Sequence, residues 1–328
     1  MTTGEEVIMD GSSPDQLPLV PEATLRKHGA FVAYDTRFRS CARLLQSLHR
    51  ERLGLPMGGF IDGGGKRQRY GHLVGQADAA AGANFLSEEL LRVTAKMLAY
   101  REPGALIENR RVYGNLLASM PLAFNLFGAF KLNTELADRW VREIWPAFDG
   151  KVSHVQFEHS PGRGESRFTD DGTAFDVFIS LRLKDSRKAF LAIEVKYSEG
   201  MTEAEPRMRP RYDELSDLSG LYRDPGDPAL RRNPVQQLWR QHMLAQSMVM
   251  SGLYDTGAFI IIGPDGNGEV RRASARYKAM LADGEGLVPF EAFSLEEAIA
   301  AVALAGDASH AAALTQRYTD FAPVHALI

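Results

Sequence analysis

Hydrophobic and polar positions change rhythm twice along the chain. From Glu22 to Arg52 the apolar residues recur at helical spacing, with Phe38, Leu44, Leu45 and Leu48 ringed by Arg37, Arg39, Arg43, Arg50 and Arg52. A charge run of this kind is more often a solvated face than a nucleic-acid contact. The glycines of "GLPMGGFIDGGGKRQRYG" break the helical pattern and predict a loop carrying Lys66, Arg67 and Arg69. "SEELLRVTAKMLAYRE" resumes the helix, with Ser87 as N-cap. "GALIENRRVYGNLLASMPLAFNLFGAF" predicts a further helix ending near Pro121, with Leu106, Tyr113, Leu117 and Met120 as its stripe. Glu108, Arg111 and Asn115 share the adjacent face.

After Trp145-Pro146 the rhythm becomes alternating. "KVSHVQFEHS" sets Val155 and Phe157 against His154, Gln156 and Glu158; "TAFDVFISLRL" and "AFLAIEVKYS" read as the next two strands, joined by the short turn "KDSR" into a hairpin. Ser198 to Asn233 lacks a period and predicts a long irregular loop, a kind of segment that is usually functional or disordered. "NPVQQLWRQHMLAQSMVMSG" predicts a helix between Pro234 and Gly252, and "GAFIIIG" a buried strand. A charged helix around "EVRRASARYKAML", a strand near "LVPFEAF" and a helix opened by a Ser294/Glu297 capping box follow. The order implies an α/β fold with a mixed central sheet flanked by helices, antiparallel at the hairpin and parallel across the helix crossover.

Composition changes this picture little. The 328 residues are 45% hydrophobic with net charge −4, so a histone-like coating role is excluded while a local basic cleft is not. A single cysteine, Cys41, excludes an internal disulfide framework and fits a reducing, cytoplasmic setting. No apolar run reaches membrane-spanning length. The acidic, Pro/Gly/Ser-rich start predicts a flexible tail over residues 1–21, with an N-terminal helical region at 22–100 packed on a larger domain at 101–328.

Candidate chemistry sits in the third strand. Alternation points Glu194 and Lys196 to one face and Ile193, Val195 and Tyr197 to the other. On the hairpin partner Asp176 is the lone acid, so two carboxylates converge beside one ammonium. That set suits a hard divalent cation, Mg2+ or Mn2+, held by Asp176 and Glu194 with water and phosphate completing the sphere. The competing reading is a plain ion pair between Glu194 and Lys196. Burying charge in an apolar strand costs several kcal/mol unless something pairs it, which favours the site.

"FDVFISLRLKDSRKAFLAIEVKY" resembles the PD-(D/E)XK nuclease superfamily, whose core is αβββαβ and whose signature is an Asp followed by (D/E)-x-K on the next strand. Asp176, Glu194 and Lys196 match it one by one, with Phe175 in place of the proline. "NLLASMPLAFNLFG", "FEHSPGR", "TAFDVFI", "IEVKYSE" and "NPVQQLWRQHMLAQ" also resemble, in that order, a bacterial restriction endonuclease family within it. The resemblance implies a restriction-endonuclease-like core with an N-terminal helical extension, and a metal-dependent DNA endonuclease acting in restriction or phage defence. Val195 would lend its carbonyl to the metal. A structure-selective repair or recombination nuclease, and a nuclease-fold binding subunit that needs a partner, remain alternatives. A homodimer is compatible with cutting both strands.

Further candidates each have a bland alternative. Glu108 is a metal ligand by resemblance, or a helix charge paired with Arg111. Glu158 ends the first strand on the acidic face and contacts metal or water. Arg163, Arg240 and Arg111 are candidate nucleic-acid contacts, or solvated. Gln237 shares a helix face with Arg240 and Gln241, and by resemblance reaches the lysine or the scissile phosphate. His154 and His159 are five apart on a strand and face opposite ways, which disfavours zinc. Arg207, Arg209 and Arg211 read as a solvated loop.

Overall fold

The computed structural model describes residues 17–328, so most of the expected 1–21 tail lies outside the described residues. Among the described residues seven strands form two sheets: β1 (Met57–Ile61) and β2 (Arg67–Val74) make an antiparallel hairpin. β3 (Gly150–His159), β4 (Phe175–Leu183), β5 (Lys188–Val195), β6 (Thr256–Gly263) and β7 (Phe290–Ser294) make a five-stranded sheet in that order. β3–β4 and β4–β5 are antiparallel, while β5–β6 and β6–β7 are parallel. This is the expected mixed α/β sheet, with the helix Gln236–Met250 as the β5–β6 crossover.

Each face of the sheet carries its own core. Leu191, Ile193 and Val195 of β5 pack with Val177 and Ile179 of β4 against the helices Ser119–Leu132, Thr134–Ile144 and Leu295–Leu304. Phe190 and Ala192 of β5 join Phe178 of β4 against Gln236–Met250 and Pro210–Ser219. Alternation therefore sends Glu194, two positions past Ala192, toward the crossover helix.

Three local expectations need correction. The glycine-rich stretch at 54–71 is not a loop but the β1–β2 hairpin, turned by Asp62, whose carboxylate accepts from the backbone N–H groups of Gly64 and Lys66. The glycines fit because the strands run close: a Cβ on Gly58 would lie 2.4 Å from the carbonyl oxygen of Val74. The single helix expected to end at Pro121 is two, Asn109–Gly114 and Ser119–Leu132, and Pro121 sits in the first turn of the second, where a missing N–H costs nothing. The long loop contains the helix Pro210–Ser219, which buries Tyr212 and Leu215 and closes on Gly220 in the left-handed region. Its weak stripe, too short to show a period, explains the misreading.

The N-terminal helix Arg37–Arg52 packs on the C-terminal helices Ala308–Tyr318 and Ala322–His325. Its arginines divide: Arg43 and Arg50 are buried, whereas Arg37, Arg39 and Arg52 are not. The buried pair is matched, as buried charge must be. Arg43 Nε donates to Asp35 at 2.6 Å, and Arg50 donates to the Gly71 and Leu55 carbonyls at 2.8 and 2.6 Å. Among the described residues no helix is long and apolar enough to cross a membrane.

Candidate active site

Strand register assembles three acids. Val177 pairs with Ile193, so Asp176 falls opposite Glu194 one step further along. Phe157 pairs with Val177 and His159 with Phe175, so Glu158 falls opposite Asp176 on the other side. Glu158, Asp176 and Glu194 thus make a row across three neighbouring strands. The row borders a cleft of about 350 Å³ that is also lined by Arg163, Gln237, Arg240 and Gln241.

Each acid is held differently. Asp176 Oδ2 accepts the backbone N–H of Val195 at 2.8 Å. Glu194 is buried; its Oε1 accepts from Gln237 Nε2 at 2.8 Å and lies 2.9 Å from Lys196 Nζ, and its Oε2 accepts from Gln241 Nε2 at 2.5 Å. Glu158 has φ of 51°, a left-handed conformation uncommon for a non-glycine residue, which costs about 1 kcal/mol or more. Arg163 braces that turn by donating to the Glu158 carbonyl at 3.1 Å and to the Gly172 carbonyl at 2.8 Å.

The electrostatics follow from the row. Burial, then the Glu194 charge, push the Glu158 carboxyl up to about 7. Burial, then Glu194 and Glu158, hold Asp176 well above the usual carboxylate range, against the pull of Lys196 and the Val195 N–H. Burial works against the Lys196 ammonium, but Glu194, Glu203 and Asp176 outweigh it and raise its pKa. Lys196 is therefore a fixed cation at neutral pH.

Carboxylate oxygens crowded until they resist ionisation are a donor set that a hard divalent cation relieves. The residues fit such an ion in donor type and in charge, with Asp176 and Glu194 as its carboxylates. The fit is not a preformed cage. Among the described residues no three His, Cys, Asp or Glu side chains are gathered closely enough to hold a metal as they stand. Both oxygens of Glu194 are engaged by the two glutamines and the lysine, and Mg2+ commonly needs only one or two carboxylates.

A model of the PD-(D/E)XK nuclease superfamily matches residues 33–320. The chain belongs to the PD-(D/E)XK nuclease superfamily. No curated protein and no solved structure gives a significant match. Nucleases of this superfamily generally use divalent metals. In this chain Asp176, Glu194 and Lys196 meet on the side of β4 and β5 that faces the crossover helix.

Of the other sequence candidates, the fold brings Glu158, Gln237, Arg163 and Arg240 to the cleft. Gln237 Oε1 also accepts from Lys196 Nζ at 2.8 Å, so one amide bridges Glu194 and Lys196. Arg240 is held by Gln236, Thr173 and Asp171. Val195 presents its N–H to Asp176. Glu108 and Arg111 do not line this cleft, although the Arg111 charge acts on Glu158. Glu108 is exposed at the start of the helix Asn109–Gly114, beside a separate groove; its carbonyl accepts the Arg111 N–H at 2.9 Å, while the Arg111 guanidinium pairs with Glu199 rather than with the Glu108 carboxylate. Arg111 donates to Glu199 at 2.8 Å, and Glu199 in turn accepts the Tyr197 N–H at 3.0 Å. His159 is engaged by Glu102 and His154 is exposed, so the two do not share an ion.

Two residues escaped the sequence. Gln241 was legible as a face-mate of Gln237 but not as a Glu194 partner. Glu203, in the segment expected to be irregular, accepts from Lys196 Nζ at 2.6 Å. Its only sequence signal was the length of the segment that carries it.

Proposed function

We propose that this chain is a metal-dependent DNA endonuclease hydrolysing phosphodiester bonds, used in restriction or phage defence within a reducing cytoplasm. The observation that carries the reading is the buried Glu194–Lys196 pair beside Asp176 at the mouth of a cleft with two arginines. Asp176 and Glu194, with the Val195 carbonyl, would hold Mg2+ or Mn2+; such an ion activates water and neutralises charge developing on phosphorus. Lys196 stays protonated and acts as a cation toward the phosphate, positioned by Gln237 and Glu194. Arg163 and Arg240 line the approach and bind flanking phosphates. Glu158, with its raised pKa, is suited to hold or pass a proton near neutral pH. Glu108 and Arg111 have no part in this reading.

Within it, residues 101–328 form the nuclease domain and 22–100 an extension that packs on it; two copies would cut both strands. The test is cleavage of duplex plasmid in Mg2+ by wild type, Asp176→Ala and Lys196→Ala. Loss of cleavage in both variants, with melting curves showing a folded chain, is expected. Equal cleavage by all three would overturn the reading. Branched and single-stranded substrates, compared with linear duplex, separate restriction from repair chemistry.

A further inference from the structure

The β1–β2 hairpin is a sheet of its own, paired with neither edge of the five-stranded sheet. Register sets Ile61 opposite Arg67 and Gly59 opposite Arg69, and alternation places all four on one face. That face is exposed at each of the four positions, whereas Phe60, Gln68 and Tyr70 behind it are half-buried. The tip is slender and free: a Cβ built on Gly63 or Gly65 would meet nothing within 4 Å. Asp62, the tip's acid, spends its carboxylate on Gly64, Lys66 and Gln68. Lys66, Arg67, Arg69 and Arg110 make no ion pair among the described residues. In a chain of net charge −4 this is a local excess of positive charge.

Hydrogen bonds fix the base of the hairpin to its neighbours. Buried Arg50 donates to the Gly71 carbonyl, and the Gly71 N–H donates to Gly29 at 2.8 Å. Arg110 donates to the Gly59 carbonyl at 3.1 Å, with its guanidinium 5.0 Å from the Phe60 ring centroid. Its neighbour Arg111 binds Glu199, which holds the backbone one residue past Lys196. One short helix therefore joins the ribbon to the end of the strand that carries the signature.

We infer that the β1–β2 ribbon enters the major groove of duplex DNA whose backbone lies in the cleft, and reads its sequence; this rests on the endonuclease reading above. The major groove, about 12 Å wide, admits a two-stranded ribbon, and arginine paired with guanine O6 and N7 is its commonest specific contact. Arg67 and Arg69, two apart on a strand, are separated by about 6.8 Å, or two steps of about 3.4 Å along a DNA strand. Arg69 gives one amino group to the Met57 carbonyl at 2.8 Å and keeps its other N–H groups for a base. Ile61 on the same face meets thymine methyls, while Lys66 and Arg110 hold phosphates.

The experiment selects bound sequences from a randomised duplex pool without divalent metal, measures affinity across salt concentrations, and maps cuts in Mg2+. The probes are wild-type chain, R67A/R69A and R67K/R69K. Wild type should enrich sites with two guanines two positions apart. R67A/R69A should bind at least about tenfold more weakly, with that preference lost. R67K/R69K should recover most affinity but not the preference, because lysine supplies charge without the planar fork. Equal affinity, salt slope and preference in R67A/R69A would overturn the ribbon while leaving the endonuclease intact. Recovery of full preference in R67K/R69K would overturn base reading by the arginines. Wild type that neither binds nor cuts duplex overturns the endonuclease reading and the ribbon together.

Discussion

Asp176 lies directly across the sheet from Glu194, yet turns one oxygen to the Val195 N–H while Glu194 is clasped by two glutamines. The pair is a repulsion built into the β4–β5 register and kept because each acid has its own donor.

Removing one charge should therefore stabilise the metal-free fold while destroying its chemistry. Asp176→Asn keeps an acceptor for the Val195 N–H and ends the repulsion that holds Asp176 above the carboxylate range. A gain on the order of 1 kcal/mol is expected in urea melts run in a chelator, with Mg2+-dependent cleavage lost. A variant less stable than wild type would contradict the account of the row.

Glu158 gives a pH signature of definite sign. Its folded pKa, about 7, lies above the ordinary 4.5, so the folded state binds the proton more tightly. Its contribution is whole below about 4.5 and is lost as pH rises through about 7, on the order of 3 kcal/mol in all. Glu158→Gln should flatten that slope in metal-free melts, and so should saturating Mg2+ if the ion neutralises the row.

His242 works in the opposite sense. Its ring is buried between the Tyr277 hydroxyl at 2.9 Å and the Val288 carbonyl at 2.7 Å, and desolvation depresses its pKa from 6.5 to about 4. The neutral ring's contribution is whole above about 6.5 and is lost as pH falls through about 4, on the order of 3 kcal/mol. Melts of His242→Gln between these limits should lack that dependence, and a wild-type slope in the variant would locate the acid sensitivity elsewhere.

Gln237 should matter more for rate than for binding. It helps fix the Lys196 ammonium against Glu194, so Gln237→Ala removes one of the three contacts of that cation without touching the arginines. Cleavage at saturating DNA should fall roughly 10- to 100-fold, the range seen when orienting partners are lost, with affinity nearly unchanged. A loss confined to affinity would place Gln237 on the DNA instead.

The ribbon's foot is a crowded glycine site. A Cβ on Gly71 would sit 2.1 Å from the His28 carbonyl oxygen and 2.3 Å from Ser47 Oγ. Gly71→Ala should cost about 1 to 3 kcal/mol and show in a lowered urea midpoint. An unchanged midpoint would mean the hairpin base is not packed against Arg37–Arg52 in this way.

The sequence by itself determined that Glu194 and Lys196 share a face, because strand alternation is fixed by backbone geometry within a few residues. It also determined the β4–β5 hairpin and the crossover helix, whose turn and capping residues act locally. It misjudged the glycine-rich stretch, since glycine breaks a helix and permits a tight hairpin by the same lack of a side chain. Only the tertiary structure decided that Glu158 joins Asp176 and Glu194, through a register set by β3–β4 pairing. The same long-range packing brought Gln241 and Glu203 onto the Glu194–Lys196 pair, set Glu108 and Arg111 along a neighbouring groove, and buried Arg43 and Arg50 beneath the ribbon. Those outcomes depend on which faces meet after distant segments close, and no local period encodes that.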